Sequence, residues 1–360
     1  MLKVLDRYLI RKFLATVFFS MLIVTLISVA IDVSDKVQNF ISKSCTWKEI
    51  VFQYYPGFII HMAGLLLPLY TLIGVVFFTS RLAFNAEILS ILNAGVSFQR
   101  LLRPYLIAGS LVGGLHLVIN HVIAPLGNKA RLKFEHTYVW TDQERGKASN
   151  VHFLLGPDVK VYVRGYNKVN KTAAGLRLQR FQHNRIVSIL DADNATWKGE
   201  PNRWELTNYT IRNFDGVHES FQRMITPIDT AINLTPEDFI YYHNQNEEMT
   251  TMELLSAVKR DLERGVVNKT YQIEISRRTA DAVTNIILTV IGLAVAGRKV
   301  RGGMGFHMAL AIGIGALFVL LSKFASSFAS SGTVPVALGM WIPNLIFIVV
   351  SLWLVWKAQK

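Results

Sequence analysis

The sequence predicts an α-helical membrane protein with six transmembrane helices and a β-domain inserted between the third and the fourth. Three observations predict it. Six long stretches are apolar and almost free of charge. A polar tract, residues 129–276, divides them three and three. Within that tract hydrophobic and polar side chains alternate in short runs, the period of half-buried strands. Composition agrees, with 51% hydrophobic residues, and the single cysteine, Cys45, leaves no intrachain disulfide.

Taken in order, residues 13–31 (FLATVFFSMLIVTLISVAI) carry no charge and are long enough to cross a hydrocarbon core. The basic flank Lys3, Arg7, Arg11 and Lys12 imitates a signal peptide. The apolar run is too long for one and no small-x-small cleavage site follows, so it is expected to stay as an anchor. Residues 57–80 form the second span, where Pro68 is expected to kink the helix, and residues 104–128 form the third. These make a first domain, 1–128. The second, 129–276, holds VKVYVR (159–164), GLRLQRF (175–181), RIVSIL (185–190) and RWELTNYTI (203–211), which read as antiparallel strands of a β-sandwich or open barrel. Near its end Thr250 and Glu253 make a capping-box pattern for a linking helix that Gly265 should stop. The third domain, 277–360, contains spans at 282–297, 302–322 and 337–356. The first of these is short, and a start further back among Arg277, Arg278 and Asp281 is the alternative.

Six spans put both termini on one side. Twelve Lys and Arg lie in residues 1–12, 81–103, 298–301 and 357–360, against four in 32–56 and 323–335. The positive-inside rule therefore makes both termini and the 80–104 loop cytoplasmic, with the β-domain outside. Residues 129–281 are nearly balanced, with twenty-two basic and twenty acidic residues. The net charge of +13 is thus mostly a topology signal, and nucleic acid is not an expected partner.

The cytoplasmic stretch 80–104, SRLAFNAEILSILNAGVSFQRLLRP, reads as an amphipathic coupling helix about ten residues long, near 85–95, pinned between two spans. Phe84, Ile88, Ile91 and Leu92 recur at helical spacing, Asn85 is the expected N-cap, Glu87 sits in the first turn, Gly95 ends the helix and Ser97 caps the next. Arg81 precedes it. Such a segment serves either as a coupling element that moves two spans or as a tight connector. Elsewhere chemistry is sparse. Gly292-x4-Gly297-Arg298-Lys299 lacks the ending of a phosphate loop and closes a membrane span. His116 and His121, five apart without a carboxylate, read as core or interface residues before metal ligands. Lys36 and Lys323, beside membrane spans, could join Lys43, Lys129, Arg131 and Lys133 in a basic collar suited to an anionic lipid headgroup. Generic headgroup anchoring is the competing reading.

The whole chain resembles a known family. The opening LDRYLIRKFL, the cytoplasmic AEILSILNAGVSFQRLLRP, the strand pair NATWKGEPNRWELTNYTI and the fifth-span stretch GRKVRGGMGFHMALAI, in that order, are similar to the YjgP/YjgQ permeases, the LptF and LptG subunits of the lipopolysaccharide exporter. The LDRY opening leans towards LptG. The resemblance implies that the outer domain is a periplasmic β-jellyroll and that the chain sits in the bacterial inner membrane. It implies a transport subunit and not an enzyme, paired with an LptF-like permease, the first and fifth spans of the two lining a lateral gate. ATP and Mg would be held by a cytoplasmic LptB-like ATPase dimer, this chain carrying no cofactor. An LptC-like subunit and bridge jellyrolls would receive the lipopolysaccharide. Glu87 occupies the place of the family's acidic coupling residue. Two departures are evident: RRTADAVTN from Arg277 has no proline after the arginine, and the basic cluster after the first span is reduced to Lys36 in DVSDKVQNF. A receptor or a secondary transporter with an outer β-domain is the alternative.

Overall fold

Six helical rods and one antiparallel sheet make up the computed structural model. It describes residues 3–43, 45–139, 149–167, 170–183, 185–216, 218–239, 245–265, 268–298, 300 and 302–359. Two compact units are resolved: residues 1–139, 246–254 and 269–360, and residues 140–245 and 255–268.

The helical unit begins with α1, Val4–Ser42. The second rod is α2 (Trp47–Glu49), a π-turn (Ile50–Tyr54) and α3 (Tyr55–Phe84), which runs on through Pro68. The short helix α4, Glu87–Asn93, leads into the third rod: α5 (Phe98–Val118), a second π-turn (Ile119–Ile123) and α6 (Ala124–Tyr138). After the sheet come α7 (Gln245–Glu248), α8 (Thr251–Glu263), α9 (Lys269–Ala296), α10 (Gly303–Ser331) and α11 (Val336–Gln359). The six rods are each long and apolar enough to cross a membrane. All run past the apolar windows that predicted them, because polar residues such as those of NKARLKFEH also extend a helix once its nucleus exists. The fourth rod shows this most. It starts at Lys269, further back than either expected start, so Glu274, Arg277, Arg278 and Asp281 lie inside it.

The rods are unequally enclosed. In α9, 72% of the apolar window is buried, for it packs against α3, α5, α10 and α11. Only 17% of the window of α1 and 22% of that of α10 is buried, leaving rows such as Phe18, Leu22 and Leu26 exposed. Rods one and two are in tight contact where Gly74 lies on Val17: a Cβ at Gly74 would stand 2.8 Å from the Val17 Cα. Beside this contact the Ser20 hydroxyl donates to the Tyr70 carbonyl at 2.9 Å.

Among the described residues the sheet unit has seven antiparallel strands: β1 (Ser149–Gly156), β2 (Val159–Asn167), β3 (Thr172–Gln182), β4 (Arg185–Gly199), β5 (Arg203–Asp215), β6 (His218–Met224) and β7 (Ile228–Ala231). β1 to β6 neighbour one another in chain order, and β7 also pairs with β5. The four predicted runs fall on β2 to β5. Simple alternation does not describe the core, however. Val163 and Tyr166, Ala173 and Leu176, Ala192 and Ala195, and Leu206 and Tyr209 are all buried, each pair three residues apart. Between the partners of two of these pairs lie Gly175 (φ +64°) and Asn208 (φ +50°). A positive φ turns the next side chain to the other face, and glycine and asparagine tolerate it best. The inward phase therefore slips by one residue across the sheet. Trp204 fills the centre, wholly buried, its indole N–H donating to the Leu234 carbonyl at 2.8 Å. Phe239 stacks on Tyr166 with ring centres 4.0 Å apart. The predicted capping box stands: the Thr250 N–H donates to Glu253 Oε2 at 2.7 Å, and α8 is followed by Gly265 at φ +73°.

Candidate functional site

The end of the helical unit that holds the first turn of α1 and the last of α11 carries the predicted coupling segment. The α3 helix runs to Phe84, so Phe84 and Asn85 belong to its end and not to the start of the next helix. The N-cap of α4 is Ala86, in the left-handed region at φ 60°, which corrects the expectation for Asn85. The backbone must reverse sharply there, and Asn85 instead points its amide at Glu87 Oε1, 3.5 Å away. With only seven residues, α4 is shorter than expected. Its inner face is as predicted. Ile88 is 2% exposed, and Ile91 and Leu92 pack half-buried against the same core. Leu89 and Phe84 remain exposed. Gly95 takes φ +83° and its N–H closes on the Leu92 carbonyl at 3.0 Å, ending α4. The Ser97 hydroxyl accepts from the Arg100 N–H at 3.2 Å and caps α5. Arg81 is exposed in the last turn of α3.

Two contacts that local sequence patterns do not reveal tie this segment to α1. The Arg100 guanidinium grips Asp6 with both nitrogens, at 2.8 Å and 2.7 Å, and Asp6 is 3% exposed. The Tyr8 hydroxyl donates to Glu87 Oε2 at 3.2 Å. The partners are 94 and 79 residues apart in sequence, beyond any periodicity argument.

At the opposite end of the rods the six predicted cations part company. Lys36 is not a freestanding charge. Its Nζ lies 2.7 Å from Asp32 Oδ1 and 2.7 Å from Glu135 Oε1, and it also donates to the Tyr54 hydroxyl. Tyr54, wholly buried at the end of the first π-turn, stands 3.0 Å from Asp32 and 3.1 Å from Glu135. Arg131 is also buried and drawn to carboxylates, 4.0 Å from Glu135 and 3.9 Å from Glu247. Lys43, Lys129 and Lys133 are exposed. Lys323, also exposed, lines a cavity of about 130 Å³ with Arg277, Asp281, Ser322 and Ser326 and the apolar Pro68, Leu69 and Phe318. None of the other five cations borders that cavity. Glu274 is the hub of the adjacent charges, receiving Arg277 and Arg278 at 2.9 Å each. Outside the spans, burial raises the Glu248 carboxyl to about 7, Lys129 and Arg131 opposing the shift and Glu247 adding to it.

The histidines are occupied by the fold. His116 Nδ1 accepts from the Asn285 amide at 2.8 Å, and its Nε2 donates to the Gly64 carbonyl at 2.8 Å; Asn285 in turn receives Thr71 at 2.9 Å. His121 Nδ1 meets the Thr251 hydroxyl at 2.8 Å. No group of three metal-ligating side chains occurs among the described residues. Of the rejected phosphate-loop pattern, Gly292 lies buried within α9, while Lys299 falls outside the described residues.

Compared with known families, residues 7–357 match the model of the lipopolysaccharide export system permease LptF/LptG. No curated protein matches the chain.

Proposed function

This chain belongs to the LptF/LptG family of lipopolysaccharide export permeases, and from that membership we propose that it is one of two paired permeases in an ATP-driven exporter. It lies in the bacterial inner membrane with both termini cytoplasmic and the sheet unit, the family's jellyroll, in the periplasm. ATP and Mg are bound by a cytoplasmic LptB-like dimer. Lipopolysaccharide enters laterally between this chain and an LptF- or LptG-like partner and passes to LptC-like and bridge jellyrolls.

The observation that carries this reading is α4. It presents Leu89 at the surface, with Glu87 steadied by Tyr8, between two rods at the end where α1 begins. A partner that grips α4 moves α3 and α5 directly. The exposed apolar rows of α1 and α10 support the lateral route, since acyl chains cost about 0.8 kcal/mol per methylene in water. Lys43, Lys129, Lys133 and Lys323 are offered to the lipid's anionic groups. Lys36 and Arg131 hold the rods that display them.

The test is purification of the tagged chain in mild detergent with assay of vanadate-sensitive ATPase activity. An ATPase and a second six-span subunit should accompany it, with hydrolysis altered by lipopolysaccharide. Glu87→Lys should lose the ATPase while the permease stays folded. Full ATPase recovery and transport with that variant would refute the role of α4.

A further inference from the structure

We infer that Asp6 and Arg100 form a positioning pair that makes α1 travel with the third rod, so that thrust on α4 reaches a helix that does not flank it. The inference rests on the coupling role proposed for α4. The helices flanking α4 are α3 and α5, yet the side chains nearest its ends also hold α1. Arg100 sits in the first turn of α5, three residues after its cap, and grips Asp6 in the first turn of α1 with two parallel hydrogen bonds. Asp6 is the better anchored because it also accepts the Lys3 N–H at 2.9 Å. A forked guanidinium–carboxylate pair fixes angle as well as distance. The pair is enclosed on the Asp6 side only, the Arg100 side chain being 28% exposed, so it is the carboxylate that would be left without a partner if the contact broke.

At its other end α1 is clipped to the same rod, through Lys36 and Glu135. The two ion pairs stand thirty residues apart along α1, about 45 Å at 1.5 Å per residue. Between them the outward face of α1 has few partners. In its middle α1 rests on the second rod, at Gly74 and through the bond from Ser20 to Tyr70, while the two ion pairs fix both of its ends to the third, so displacement of the third rod is passed to α1 at those ends. If α1 forms part of a lateral opening, the Asp6–Arg100 pair ties that opening to the state of α4.

The pair is tested in reconstituted exporter by Asp6→Asn/Arg100→Gln, which removes both charges and strands neither. The readouts are ATPase recovery, melting temperature, hydrolysis rate and lipopolysaccharide released per ATP. We expect recovery, melting and hydrolysis close to those of the unchanged protein, while release per ATP falls by about 5-fold or more, the lower range of a coupling between sites. Arg100→Lys keeps the charge but not the fork, so its release per ATP should be intermediate. Unchanged release per ATP in both variants would overturn the inference while leaving the exporter reading standing. Failure of the unchanged chain to recover any ATPase would instead overturn that reading, and this inference with it.

Discussion

Replacing Lys36 by methionine is the sharpest test of how the end of the rods away from α4 is built. Methionine keeps most of the apolar stem and removes the charge. In the structure the ammonium lies 2.7 Å from each of two carboxylates whose side chains are only 10% and 7% exposed. Asp32 has no other ion-pair partner among the described residues, whereas Glu135 keeps Arg131 at 4.0 Å. Breaking a buried pair from one side costs about 3–5 kcal/mol, because the partner is left charged and dry. An exposed pair would cost at most about 1 kcal/mol. At roughly 2 °C per kcal/mol for a chain of this size, the melting temperature in detergent should fall by about 6–10 °C. The companion variant Lys36→Met/Asp32→Asn/Glu135→Gln leaves no stranded charge and should recover most of that loss. A single variant that melts with the unchanged protein, or a triple variant no better than the single, would refute the reasoning. Loss of lipid transport on mutating Lys36 identifies a lipid contact only if the triple variant loses it too.

Other outcomes follow from the same structure. Gly74→Leu forces side-chain atoms into the Val17 backbone and should destabilise the helical unit by about 1–3 kcal/mol, read as a lower melting temperature; an unchanged value would show that α1 does not rest there. Trp204→Ala empties the centre of the sheet and should cost about 3–5 kcal/mol, seen as faster proteolysis within residues 149–239; equal cleavage rates would contradict its central place. Folding raises the carboxyl of Glu248 above its ordinary value of 4.5, so its stabilising contribution is complete below about pH 4.5 and is lost as pH rises through about 7. The contribution is on the order of 2 kcal/mol, allowing for partial exposure. The melting temperature of Glu248→Gln should therefore gain on the unchanged protein between pH 5 and 8, and parallel curves would refute this.

Features written locally in the chain were legible before any coordinates. Charge-free runs gave the six rods, alternation gave β2 to β5, and Thr250, Gly95 and Ser97 announced helix ends through bonds to residues within four positions. Where a signal depends on distant partners, the sequence is silent. Nothing in the residues around Asp6 names Arg100, 94 positions on. Lys36 looked like a free cation because Glu135, 99 residues on, is invisible to a local reading. Hydropathy also reports solvent preference and not backbone state, which is why α1 and α9 outrun their apolar windows. Asn85 was the better cap by residue preference, yet the reversal between α3 and α4 placed Ala86 at that position. In the sheet, alternation gave the strands but not the slip at Gly175 and Asn208, since a positive φ is a property of the pairing as well as of the residue.

The two π-turns bear on how this chain can change length. A π-turn carries one residue more than an α-helical turn, so everything beyond it is advanced by about 100° around the axis. Tyr54 closes the first and Asn120 lies in the second, each at a buried polar contact. Removing a residue from Ile50–Tyr54 would restore a regular helix with its backbone bonds intact, and would swing α2 and its Thr46–Glu49 cap out of phase with α3. Insertions and deletions in these rods thus act as rotations: the helix survives them, and what they change is which neighbour each charged side chain meets.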